Sequence, residues 1–169
     1  GRFLITGKVV DLIMKGNAIY QMVLVRESNG PADRRIVFRD SLALIPSRLA
    51  AFPSMFQLEA TGPKEIFPYH YYNEDTMYVG RISECGIDEK PQWSVSELNH
   101  FRKNLTELGL LRSDNETFDS KGYCLFYCMR DVSILKQGFL KFQKDCKDDF
   151  NLDCTQFLTI SSLAYHYVR

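Results

Sequence analysis

The pattern of this chain predicts a mixed fold, α+β or α/β, with strands first and helices later. Three observations carry that expectation. Short β-branched and aromatic runs fill residues 9 to 45, Pro and Gly crowd residues 59 to 92, and from Ser94 onward apolar residues recur at helical spacing. At 169 residues the length suits one domain, and a fold of that size buries about 70% of its unfolded surface, enough for a real core.

The elements follow in order. Val9 to Met14, Ala18 to Val25 and Arg35 to Phe38 read as strands, separated by turn-rich Lys15-Gly16-Asn17 and Ser28-Asn29-Gly30-Pro31, and should form two or three antiparallel neighbours. After Pro46 the spacing turns helical, with Ser47 as N-cap, Leu49, Phe52 and Phe56 on one stripe, and Pro53 kinking or shortening the helix. Pro63, Pro68 and Pro91, with Gly62, Gly80 and Gly86, predict a long irregular connection over 59 to 92. It carries Phe67, Tyr69, Tyr71, Tyr72 and Tyr78, rings that either pin the loop to the body or stack bases. Ser94-Val-Ser-Glu97 forms a capping box, followed by Leu98, Phe101 and Leu105 at helical spacing. A long helix is expected from Ser120 to Lys147, with Val132, Leu135, Phe139 and Phe142 as its apolar stripe and Lys141, Lys144 and Lys147 at its negative end. A final helix over Thr155 to Val168 closes the chain.

Composition narrows the partners. Lys plus Arg equals Asp plus Glu at 21 each, so no global positive field favours nucleic acid, and any DNA contact must come from local charges and stacking rings. Cys85, Cys124, Cys128, Cys146 and Cys154 are odd in number and contain no C-x-x-C, which argues against a disulfide framework or zinc knuckle and for a reducing, intracellular compartment. Cys124 and Cys128 read as small buried packing groups. His70, His100 and His166 are too scattered to assemble a metal site by spacing. No apolar run approaches the roughly 20 residues that span a bilayer.

Chemistry enters at Tyr127 to Asp131, Y-C-M-R-D. A helix sets residues four apart on one face, so a phenol and a carboxylate are aimed at one spot. By spacing alone such a pair is as readily a core-edge Tyr with a solvated Asp. Two further segments agree with the functional reading. IVFRDSLALIPSRLAAFPSMFQLE, Ile36 to Glu59, resembles the F-R-D-S-L-x-x-L-P-x-x-L segment of family B DNA polymerases of the organellar, viral and protein-primed branch. GPKEIFPYHYYN resembles the K-x-x-hydrophobic motif of that branch, with Lys64 as its lysine and Phe67 as its hydrophobe. Tyr127 and Asp131 then match the third exonuclease motif, Y-x-x-x-D, and FLTISSLAYHYVR is similar to the exit from the exonuclease domain.

That resemblance implies a ribonuclease H-like exonuclease fold, incomplete here, with residues 1 to 169 as the carboxy-terminal part of a 3′–5′ exonuclease domain. It implies Asp131 as a ligand of Mg2+ or Mn2+, Tyr127 as the phenol that orients the attacking water, and Lys64 as a cation near the scissile phosphate. It also implies Ser41 and Leu42 as contacts of the primer strand, with Tyr69 near the same strand. The family's first motif, D-x-E, and its second, Asn followed shortly by Asp, belong on the amino-terminal side. VVDLIMKGNAIY matches neither, so Asp131 is the one carboxylate of four that is matched. Two functions stay open: the proofreading part of a polymerase, or a polymerase-derived module without chemistry that binds nucleic acid or protein. The implied partners are a single-stranded primer end, the rest of the polymerase chain and a terminal protein primer, in an infected host cell, a nucleus or an organelle.

Overall fold

The computed structural model describes residues 8–26, 34–58 and 65–169. Where length suggested one domain, the chain divides into two compact units, Gly1–Gln57 with Gln137–Arg169, and Leu58–Lys136.

In the first unit, β1 (Lys8–Lys15), β2 (Ala18–Arg26) and β3 (Arg34–Arg39) form an antiparallel sheet in the order β1-β2-β3. Lys15 pairs with Ala18, and Gly16 supplies the positive φ of 59° that a two-residue hairpin turn requires. A polar line crosses the sheet: Gln21 Nε2 donates to Asp11 Oδ2 at 3.0 Å, and Arg39 Nε donates to Gln21 Oε1 at 2.9 Å. Val23 is buried, whereas Val9, Leu12, Met14, Ile19, Val37 and Phe38 are exposed. The central strand is thus partly covered, while β1 and β3 are exposed among the described residues.

Asp40 ends β3 by accepting from the Leu42 N–H at 3.0 Å, capping a single 3-10 turn, Ser41–Ala43. Ser47 is not the cap expected of it. The next turn, Leu49–Ala51, follows Arg48 without a side-chain cap and runs into α1 (Phe52–Met55). Pro53 lies in the first turn of α1, where no partner for its missing N–H is needed, so it helps to start the helix instead of kinking it. Phe52 and Phe56 meet edge to face at 5.2 Å, and Gly138 leaves room for the Phe52 ring, since a Cβ there would overlap it. Near the carboxy-terminus Cys146, Cys154 and Leu163 form a small buried cluster supported by Phe139, Phe142 and Phe157. The last helix, α4 (Ile160–Tyr167), starts later than the sequence suggests, because Thr159 and Ser162 make the capping box.

In the second unit, β4 (Val79–Arg81) pairs antiparallel with β5 (Thr117–Asp119), and the rest of residues 65–92 is almost entirely irregular, as the breakers predict. α2 (Val95–Glu107) begins at the expected capping box: Ser94 N–H donates to Glu97 Oε2 at 2.7 Å, and Glu97 N–H to Ser94 Oγ at 3.3 Å. Phe101, Leu105, Phe118 and Tyr123 are fully buried with Ile82 and Cys85. Phe101 packs edge-on against both Phe118 and Tyr123, at 5.4 and 4.8 Å.

α3 (Ser120–Phe150) contributes residues to both units. Its buried positions are Ser120, Tyr123, Tyr127, Ile134, Gly138 and Cys146, spaced close to whole turns. Val132 falls off that stripe and is 64% exposed, contrary to its expected place in the apolar face. Cys128 is likewise exposed and Cys124 half-buried, so the expectation of two buried packing thiols fails. Each directly follows a stripe tyrosine, and one residue turns a helix about 100° away from the core. All five cysteines are free thiols.

Candidate functional site

One face of α3 collects the loop that precedes β4. Ser120, Tyr123, Tyr127 and Arg130 are spaced three, four and three residues apart and therefore align. Each holds a loop residue. Tyr72 donates its hydroxyl to the Ser120 carbonyl. Tyr123 Oη donates to the Ile66 carbonyl at 2.5 Å. Tyr69 and Tyr127 share a hydrogen bond between their hydroxyls at 2.6 Å, and Arg130 Nη1 pairs with the Glu65 carboxylate. Phe67 sits among these rings, its centroid 4.6 Å from Tyr127, 4.7 Å from Tyr72 and 4.9 Å from Tyr69. The rings pin the loop to the body.

Tyr127 is buried, at 5% exposure, whereas Tyr69 is 56% exposed. Burial, then the Tyr69 hydroxyl and the Asp131 carboxylate, push the Tyr127 phenol far above its ordinary range. The phenol is therefore neutral at any physiological pH. Either hydroxyl of the Tyr69–Tyr127 pair can be the donor, and the Asp131 carboxylate one turn further along α3 adds to the rise of the Tyr127 phenol. The arrangement is a hydrogen-bonded pair of phenols, one on an exposed residue and one on a buried residue, with the half-buried Asp131 carboxylate one helical turn from Tyr127.

Three of the residues singled out from the sequence, Tyr69, Tyr127 and Asp131, thus come together. Lys64 lies outside the described residues. Ser41 and Leu42 belong to the other unit, on the 3-10 turn after β3, with Ser41 half-buried and Leu42 56% exposed. Glu65 was not legible as a site residue. Its carboxylate is 6% exposed and is held by Arg130, Asn104 and His100, yet its only sequence signal is adjacency to Lys64.

A two-metal hydrolase needs several carboxylates around ions about 3.5 to 4 Å apart. Among the described residues no three His, Cys, Asp or Glu side chains group to hold a metal, and Asp131 alone does not fit that requirement. One D-x-E does occur, Asp114-Asn115-Glu116, downstream of where the family carries its first motif. Asp114 closes a turn, accepting from the Glu116 and Thr117 N–H groups at 3.0 and 2.8 Å and from the Thr117 hydroxyl at 2.6 Å, and these bonds hold its carboxyl down to about 2. Glu116 accepts from the Ser83 N–H at 2.9 Å and faces Arg102 at 4.0 Å. Both carboxylates serve local structure.

The sequence profile of DNA polymerase type B, organellar and viral, matches residues 2–169. The chain belongs to that family. Two curated relatives are probable DNA polymerases of fungi. The protein from Neurospora intermedia is 25% identical over 96% of this chain and 16% of its own length, and the protein from Ascobolus immersus is 21% identical over 95% of this chain and 13% of its own. The family B segment therefore spans less than one fifth of the relatives it matches. No solved structure matches it. Among its described residues no helix is long and apolar enough to cross a membrane.

Proposed function

We propose that this chain is the carboxy-terminal part of the 3′–5′ exonuclease domain of a DNA polymerase of the protein-primed branch, built on a ribonuclease H-like fold. The observation that carries the reading is the hydrogen bond between Tyr69 and Tyr127, drawn from two separate motifs, with Asp131 one helical turn from Tyr127. Chance matches to two motifs would have no reason to meet. In this reading Asp131 is one ligand of a Mg2+ or Mn2+ site whose other carboxylates lie elsewhere in the polymerase. Tyr127 is the neutral phenol that holds a water or phosphate oxygen in place. Lys64 supplies positive charge near the scissile phosphate, while Ser41, Leu42 and Tyr69 contact the single-stranded primer end. A terminal protein acts as the primer for synthesis.

Excision and extension measured on the same primer in the complete polymerase test this. Asp131→Ala should nearly eliminate excision. Tyr127→Phe, which deletes one hydroxyl, should lose about 10² to 10³ in excision rate if its bond strengthens in the transition state. Both variants should extend normally. Wild-type excision in Asp131→Ala would point to the module without chemistry, and equal loss of both activities would mark these as folding residues.

A further inference from the structure

Glu65 is an expensive residue to keep. A buried carboxylate is tolerated only with partners that replace its lost hydration, and Glu65, 6% exposed at its side chain, has three. Arg130 Nη1 on α3 donates to Oε1, and Asn104 Nδ2 on α2 donates to Oε2. His100 Nε2, also on α2, lies 3.6 Å from Oε2 and 3.2 Å from Asn104 Nδ2. One carboxylate therefore grips two helices from the start of the loop that ends at Tyr72. The grip on α3 falls at Arg130, between Tyr127 and Asp131. Four residues after Glu65 the loop delivers Tyr69 to Tyr127.

We infer that Glu65 is a positioning residue of the exonuclease site: its clamp on Arg130, Asn104 and His100 fixes the loop so that the Tyr69 hydroxyl meets Tyr127. The inference rests on the function proposed above. Its physical basis is the steep distance dependence of a hydrogen bond. A 2.6 Å contact between hydroxyls does not survive a loop displacement of 1 Å, and a misplacement of that size in an active site costs up to about 100-fold in rate. Other bonds hold the loop at Ile66, His70 and Tyr72, but none of these reaches α2. The clamp ties that stretch to both helices.

The test is a double-mutant cycle on excision by the complete polymerase, with extension and thermal midpoint followed in the same samples. Glu65→Gln keeps size but removes the charge that holds Arg130 and turns one of the two accepting oxygens into a donor, and should slow excision by about tenfold while extension is unchanged. In a Tyr69→Phe background, where the bond to be positioned no longer exists, Glu65→Gln should cost nothing more. Arg130→Lys, which keeps a cation, should excise faster than Arg130→Gln. Independent, multiplying losses in the Glu65/Tyr69 double variant would overturn the inference, as would equal losses in the two Arg130 variants. Asp131→Ala in the same assay separates the failures. If it abolishes excision while Glu65→Gln excises normally, only the positioning role falls; if it excises normally, the underlying reading falls with it.

Discussion

The hydroxyls of Tyr69 and Tyr127 stand 2.6 Å apart across 58 residues of sequence, the first residue exposed and the second buried. The pairing makes the protonation of Tyr127 predictable. Burial first, then Tyr69 and Asp131, raise its phenol pKa, and burial does the same for Tyr72 and Tyr123. A folded pKa raised above the unfolded value of about 10 gives stabilisation that is complete below pH 10 and lost as pH climbs toward the folded pKa. Chemical denaturation should therefore report no contribution from these phenols to pH dependence between pH 7 and 9, then a decline above about pH 10. In an alkaline absorbance titration, Tyr127→Phe should match wild type up to the unfolding transition. A smaller tyrosinate signal from the variant before unfolding would show that Tyr127 ionises in the native chain.

Thiol reactivity should separate the cysteines by burial. Desolvation pushes Cys85 up to about 12 and Cys154 up to about 11, while Cys128 is exposed. Only the thiolate attacks a disulfide reagent. At pH 8 the native chain should show a fast phase that Cys128→Ser removes, with Cys85, Cys146 and Cys154 reacting only in denaturant. Rapid labelling of Cys85 in the native chain, read by peptide mapping, would contradict the packing around it.

Gly80 on β4 has no space for a side chain. A Cβ there would lie 2.5 Å from the Phe118 ring and 2.5 Å from Ser120 Oγ, both fully buried. Gly80→Ala should cost about 1 to 3 kcal/mol in thermal or chemical unfolding, the range for overpacking a filled core. An unchanged midpoint would mean that the β4–β5 pairing yields more easily than its packing indicates.

Loss of a cap should be milder. Ser94→Ala removes the hydroxyl that receives the Glu97 N–H and leaves the first turn of α2 short of one acceptor. The expected loss is about 1 kcal/mol, and Ser94→Thr, which keeps a capping hydroxyl, should avoid most of it. A full-sized loss with Thr would exclude capping as the cause.

Much of the fold was legible because local chemistry dictated it. The strands stood out as β-branched runs broken at Gly16, and the start of α2 was written in Ser94 and Glu97. Pairing between three-residue strands was not, since Val79–Arg81 and Thr117–Asp119 are too short to display a period. The site divided in the same way. Tyr127 and Asp131 share a helical face by spacing alone, but Glu65 acquires its meaning from Asn104 and Arg130, 39 and 65 residues away, and no local pattern announces such a contact.

The discontinuous unit has a consequence in time. Residues 1 to 57 leave the ribosome first, but Gln137–Arg169, which complete their unit, emerge only after all of Leu58–Lys136. At roughly 5 to 20 residues per second the sheet waits several seconds for its complement. During that interval Val9, Leu12, Met14, Val37 and Phe38, exposed even when these residues are folded, are open to neighbouring nascent chains. The continuous unit faces no such delay and can finish first. Expression that slows elongation within 58–136 should therefore lower soluble yield more than the same slowing placed after residue 169.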